Sequence, residues 1–253
     1  MKAFVAFCKK EFIESLRTYK FIIMLATFIL FGIMSPMIAK ILPDLLNKTE
    51  MNGMILTIPK PTAMDSWAQF FKNIGQMGVL ILVIMFCGTT ANEFSKGTLI
   101  NILTKGMKRY IVILAKFTAA FVIWTVSYLT SFVVTYAYTM YFWEIEMSNG
   151  FLTFSGLWLY GLLLVSLMIL GGIWFRNIYG SLLLTAGGII VMSVLNISPQ
   201  LRKYNPISLT GDTLDLLNGT KVPADFIPAL IICIALTVLF IAVSVFIFNR
   251  KQV

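Results

Sequence analysis

The stretch NEFSKGTLINILTKGMKRYIVILAK, residues 92–116, carries Glu93, Lys96, Lys105, Lys108, Arg109 and Lys116 between two long apolar runs. Charge at this density can be gripped by a partner, or can rest on a membrane surface as an amphipathic connector. Catalysis is a poorer use of it. The chain has 0 histidines, which removes imidazole acid–base chemistry and the H-E-x-x-H zinc site. GTTANEFSKGT brings glycine and lysine together in the wrong order and spacing for a phosphate-binding loop, so this chain is not expected to hydrolyse ATP alone. Catalytic, metal-ligating and cofactor-binding residues are expected to be none.

Placed on a helix, Phe94, Thr98 and Ile102 trace one side at i,i+4 spacing and Leu99 and Leu103 widen it, while Glu93 and Lys96 project from the opposite side toward water. Lys105 falls back on the Phe94 side, where the pattern weakens. Gly97 and Gly106 each cost about 1 kcal/mol against alanine in a helix, so 92–110 reads as a short helix with a bend before the next apolar run.

The elements holding this stretch are set by hydrocarbon. Apolar residues are 58% and charged residues 12% of 253, with a mean hydropathy of +0.87, whereas soluble domains run near about 45–50% and about 25%. Charge-free runs occur at 21–39, 73–92, 117–143, 147–175, 177–201 and 226–249. Each is close to the roughly 20 residues a bilayer crossing needs. The expected fold is all-α and polytopic, a single transmembrane domain over 1–253 with spans at about 21–39, 74–91, 117–142, 156–175, 178–196 and 229–248. With the N-terminus in the cytoplasm, Lys2, Lys9, Lys10, Arg17, Lys20, Lys96, Lys105, Lys108, Arg109, Lys116, Arg176, Arg250 and Lys251 lie inside with only Glu11, Glu14 and Glu93. That asymmetry places both termini inside. The net charge of +9 belongs to these membrane-flanking segments, and no soluble module is left to bind nucleic acid.

Residues 2–20 have helical periodicity, with Phe4, Val5, Cys8, Phe12, Leu16 and Tyr19 on one side and Lys9, Lys10, Glu14 and Arg17 mostly on the rest. This predicts an interfacial helix that turns into the first span near Lys20. Gly32 and Pro36 predict a bend or fraying late in that span, and a short helix is expected around 63–71 before span two. Tyr136, Tyr138, Tyr141, Phe142 and Trp143 form an aromatic belt, and glycines 161, 171, 172, 180, 187 and 188 allow close helix approach. The outer region 197–228 has the length for a cap or re-entrant pair with a short helix near Thr213; a plain loop is the other reading. Cys8, Cys87 and Cys233 have no paired spacing and read as packing residues. No ionisable residue falls inside a predicted span, with Glu93, Lys116 and Arg176 at inner ends, which disfavours ion-driven carriage.

The motif ANEFSKGTLINILTKGMKRYIVILAKF, with Glu93, Lys96, Gly97, Thr98, Leu99, Leu103, Lys108, Arg109 and Lys116, resembles the inner loop of ABC-2 type permeases, the membrane subunits of a class of ABC exporters. KKEFIESLRTYKFIIML is similar to the interfacial helix of that family, and YNPISLTGD to its N-P element before the last span. The loop departs from the family at Lys105-Gly106-Met107, where many members carry a proline nearby. The resemblance implies a half-transporter: two permease subunits, as a homodimer, around a pathway, each contacting one of two cytoplasmic ABC ATPase subunits that bind ATP and Mg. It implies coupling through Glu93, Phe94, Lys96, Gly97, Thr98, Leu99 and Ile102 with a smaller contact at Arg176, an interfacial helix carrying Phe4, Phe12, Arg17 and Tyr19, and an outer gate at Asn205, Pro206 and Asp212. The location implied is a bacterial plasma membrane. An aromatic content of 14% dominated by 21 Phe fits an amphipathic or hydrophobic substrate such as a membrane-active peptide, a lipophilic antibiotic or a lipid. A six-span channel or scramblase without an ATPase, and a membrane anchor that only recruits one, are the competing classes.

Overall fold

Apolar length dictates the architecture. In the computed structural model, which describes residues 2–47, 60–95, 97, 99, 104, 106–144 and 149–251, six helices are long and apolar enough to cross a membrane: Lys20–Pro43, Ala63–Phe94, Arg109–Phe142, Gly150–Phe175, Ile178–Leu195 and Pro223–Arg250. The chain is an all-α multi-pass membrane protein. Its elements are α1 (Lys2–Arg17), α2 (Lys20–Asn47), α3 (Ala63–Lys72), a π-helical turn (Asn73–Gly78), α4 (Val79–Phe86), α5 (Gly88–Ser95), α6 (Arg109–Phe142), α7 (Gly150–Phe175) and α8 (Ile178–Leu195). Three short helices follow, α9 (Pro199–Arg202), α10 (Ser208–Gly211) and α11 (Thr213–Leu217), before α12 (Pro223–Arg250).

Helix α7 is the central post. Of its apolar window 89% is buried, against 17% for α8 and 11% for α12, so α7 is solvated by protein while the outer sides of α8 and α12 are what hydrocarbon must solvate. Close approach depends on missing side chains: a Cβ on Gly161 of α7 would stand 2.4 Å from the Trp124 ring of α6, and one on Gly172 would stand 3.0 Å from Thr90 of α5. Trp124 is fully buried and donates its Nε1–H to Trp158 O at 3.0 Å. Trp67, Phe70, Phe71, Phe132 and Phe154 pack ring to ring at the end of the bundle opposite α1 and lock α3 onto α6 and α7.

Three expectations change. The short helix before span two is not separate: α3 runs through the π-helical turn into α4 and α5 as one apolar rod from Ala63 to Phe94. The extra residue per turn is accommodated where Gly78 lets Phe28 approach, and Asn73 Nδ2 donates to Ser35 Oγ at 3.1 Å. Helix α2 does not fray at Pro36 or stop near residue 39 but continues through Pro36 and Pro43 to Asn47. Helix α1 turns a different side to the bundle. Phe7 and Glu11 are buried, Phe4 and Phe12 pack against the core, and Val5, Leu16, Arg17 and Tyr19 are exposed. A charge at the centre of the buried side rotates the face, for the reason given below.

Candidate functional site

The densest polar construction lies where α1, the end of α5 and the start of α6 meet. Six alternating helices bring the charge-rich ends of the chain to this one end of the bundle. Glu11, Glu93 and Lys116 are 4%, 6% and 1% exposed. The Lys116 ammonium lies 2.8 Å from Glu93 Oε2 and 3.1 Å from Glu11 Oε2, and donates to Thr89 O at 3.2 Å. Lys10 completes the network at 2.7 Å from Glu93 Oε1, 2.9 Å from Glu11 Oε1 and 2.9 Å from Glu14 Oε2. An isolated charge here would be expensive. Five groups that satisfy one another make burial tolerable and make separation costly.

Electrostatics follow from that crowding. Burial alone would lower the Lys10 ammonium, but the hydrogen bonds it donates to Glu93 and Glu11 override it and hold the group above the ordinary lysine range. Burial alone would raise the Glu14 carboxyl, and the Lys10 hydrogen bond and charge instead hold it below the ordinary range. Oxygens of Glu11, Glu14 and Glu93 lie within 4.8 Å of one another, a spacing a hard cation can use. The Lys10 ammonium already occupies their meeting point, so the arrangement is a clamp between helices.

The rest of this end is tied by cations on helix C-termini, where exposed carbonyls carry partial negative charge. Arg109 at the start of α6 donates to the carbonyls of Phe248, Asn249 and Lys251 at the end of α12. Lys251 returns to Ile173 O at 3.0 Å at the end of α7. Between α7 and α8 the chain reverses in two residues: Arg176 takes a left-handed conformation (φ 56°), and Asn177 caps α8 by accepting from Gly180 N at 2.5 Å. The Arg176 guanidinium lies 5.6 Å from the Phe94 ring, and Phe94 packs edge-on against Phe248.

Two expectations about this stretch are corrected. Glu93 does not project toward water; it points into the bundle, because Lys116, two turns into α6, needs a counter-charge. Lys116 is likewise no surface lysine but a buried charge within a spanning helix. Leu99 is buried, and Gly97 (φ 66°) and Gly106 (φ 82°) are left-handed, which explains why glycine interrupts the helix at both places. Lys96, Thr98, Ile102, Leu103 and Lys105 lie outside the described residues. Sequence reasoning passed over Lys10, Glu11 and Glu14. Glu11 sits between Phe7 and Phe12 on what becomes the buried side, and a carboxylate there needs a partner.

At the opposite end, Asn205, Pro206 and Asp212 come together under the cap formed by α9 to α11. All three are buried. Asn205 Nδ2 donates to Met192 O at 2.5 Å, tying the cap to α8, and Asp212 pairs with Arg202 and with Lys221 at 2.8 Å. Leu216 and Leu217 of α11 are fully buried, so the helix expected near Thr213 anchors the cap.

No family model matches this chain. A protein of Bacillus subtilis (strain 168), "Uncharacterized transmembrane protein YxlG", is 22% identical over 261 residues, covering 100% of this chain and 99% of that protein. The similarity runs end to end and concerns a transmembrane protein.

Proposed function

We propose that the chain is the membrane subunit of an ATP-driven ABC-2 type exporter and that the stretch from Glu93 to Lys116 is its coupling element. The observation that carries this reading is the 2.8 Å pair between Glu93 and Lys116, the first and last charged positions of the motif. The pair closes the intervening loop at its base, and Lys10 and Glu11 fasten the base to α1. A load applied to such a loop must move α1, α5 and α6 together, because sliding any one of them leaves a buried charge unpaired. Energy then comes from a cytoplasmic ATPase subunit, with ATP and Mg bound there, and two copies of this chain surround the pathway. The termini face the cytoplasm of a bacterial cell. The substrate is amphipathic or hydrophobic and moves outward.

Purification from native membrane tests this. An ATPase subunit should copurify, and Gly97→Arg should abolish substrate-stimulated hydrolysis while leaving the chain folded. A Cβ at position 97 meets no atom within 4 Å, and the left-handed backbone costs a non-glycine residue about 1–2 kcal/mol. Lipid flipping or conductance by the purified chain alone, with no ATPase recovered, would point to the channel or scramblase class.

A further inference from the structure

The cap covers a cavity of about 410 Å³ lined by Leu163, Leu167, Val191, Leu195, Ile232 and Phe240, with Tyr204 and Asn205 at its upper edge. We propose that this groove between α7, α8 and α12 holds one acyl chain of an anionic phospholipid from the leaflet on the cap side, with the phosphate at Lys203. The occupant is fixed by length and charge. From Ile232 to Phe240 the α12 wall extends for about 12 Å at helical rise, close to the roughly 15 Å that one leaflet contributes to a hydrocarbon core of about 30 Å.

Lys203 lies in the turn between lining residues Leu201 and Tyr204. It reaches Asp225, at the start of the helix supplying Ile232, Leu236 and Phe240, at 3.4 Å. Both partners are about half exposed, 48% and 55%, so this ion pair is weak and a phosphate can replace the carboxylate. Arg202 adds a second cation 47% exposed while fixed to buried Asp212. The Asn205 amide is engaged with Met192 O and Ile207 N, so the groove asks for no polar group along its length. Hydrocarbon gains little by leaving a bilayer for an apolar groove, and selection therefore falls to the headgroup and to shape.

The test uses full-length protein in nanodiscs of phosphatidylcholine with a minor share of phosphatidylglycerol, extracted in mild detergent, with retained lipid counted by native mass spectrometry. The expected result is retained phosphatidylglycerol in preference to phosphatidylcholine. Lys203→Gln should cut that preference roughly fivefold, the worth of one basic residue at an anionic surface. Val191→Trp, which fills the groove from an exposed position, should abolish retention of both lipids, whereas Leu183→Trp, more exposed and outside the lining, should not. Equal retention of the two lipids by the unaltered chain, or retention by Val191→Trp matching that by Leu183→Trp, overturns the site.

Discussion

Lys116 carries the heaviest consequence of any single residue. Replacing it with methionine keeps the stem and removes the charge, leaving Glu11 and Glu93 with Lys10 alone. The expected loss is about 3–5 kcal/mol, the cost of breaking a buried pair from one side. Adding Glu11→Gln and Glu93→Gln to Lys116→Met should recover most of it. Denaturant titration in detergent reads both. The network also sets a pH window. Glu14, held low when folded, stabilises above its unfolded value near about 4.3 and loses this as pH falls through the folded value; Lys10, held high, stabilises below about 10.4 and loses this as pH rises past it. A melting temperature flat between about pH 5 and pH 10 and falling on both sides is the expected profile. Glu93 and Lys116 were legible as a motif, but their pairing was not. Helical projection puts Glu93 on the wet side of its own segment, and only the α6 backbone beside it reveals a lysine needing a counter-ion. Glu11 was hidden for the same reason, because the buried lysine that neutralises it lies 105 residues away in sequence.

At the scale of elements, contact between α6 and α7 depends on the absent side chain of Gly161. Gly161→Ala should destabilise by about 1–3 kcal/mol, since the buried Trp124 ring at 2.4 Å has nowhere to go. Gly187→Ala is the control, because a Cβ there meets nothing within 4 Å, and the two melting temperatures in one detergent compare them. The six crossings were readable because hydrocarbon thickness imposes a minimum charge-free length on every span. The fusion of α3 with span two was not, because Lys72 interrupts the apolar run and a π turn has no signature in a 3.6-residue pattern. The continuation of α2 past Pro36 to Asn47, where a bend or fraying was expected, was likewise not legible. Proline disrupts an isolated helix, but a helix packed along α3 and α6 can absorb the lost hydrogen bond.

The whole molecule is asymmetric from end to end. One end is closed by aromatic packing and a buried cap, the other by ion pairs and capped helix termini that bind α1, α5, α6, α7 and α12 together. The basic character of one end was legible in the distribution of lysine and arginine along the chain. What charge could not convey is that much of it is spent internally, on carbonyls and carboxylates. The most direct measurement is site-specific photo-crosslinking in native membranes from a probe at Thr104, with a second probe at Tyr204 on the cap. The coupling account predicts a nucleotide-sensitive adduct between position 104 and an ATPase subunit and none from position 204. An ATPase adduct from the cap position, or no adduct at 104 while substrate crosses the membrane under ATP, would contradict it.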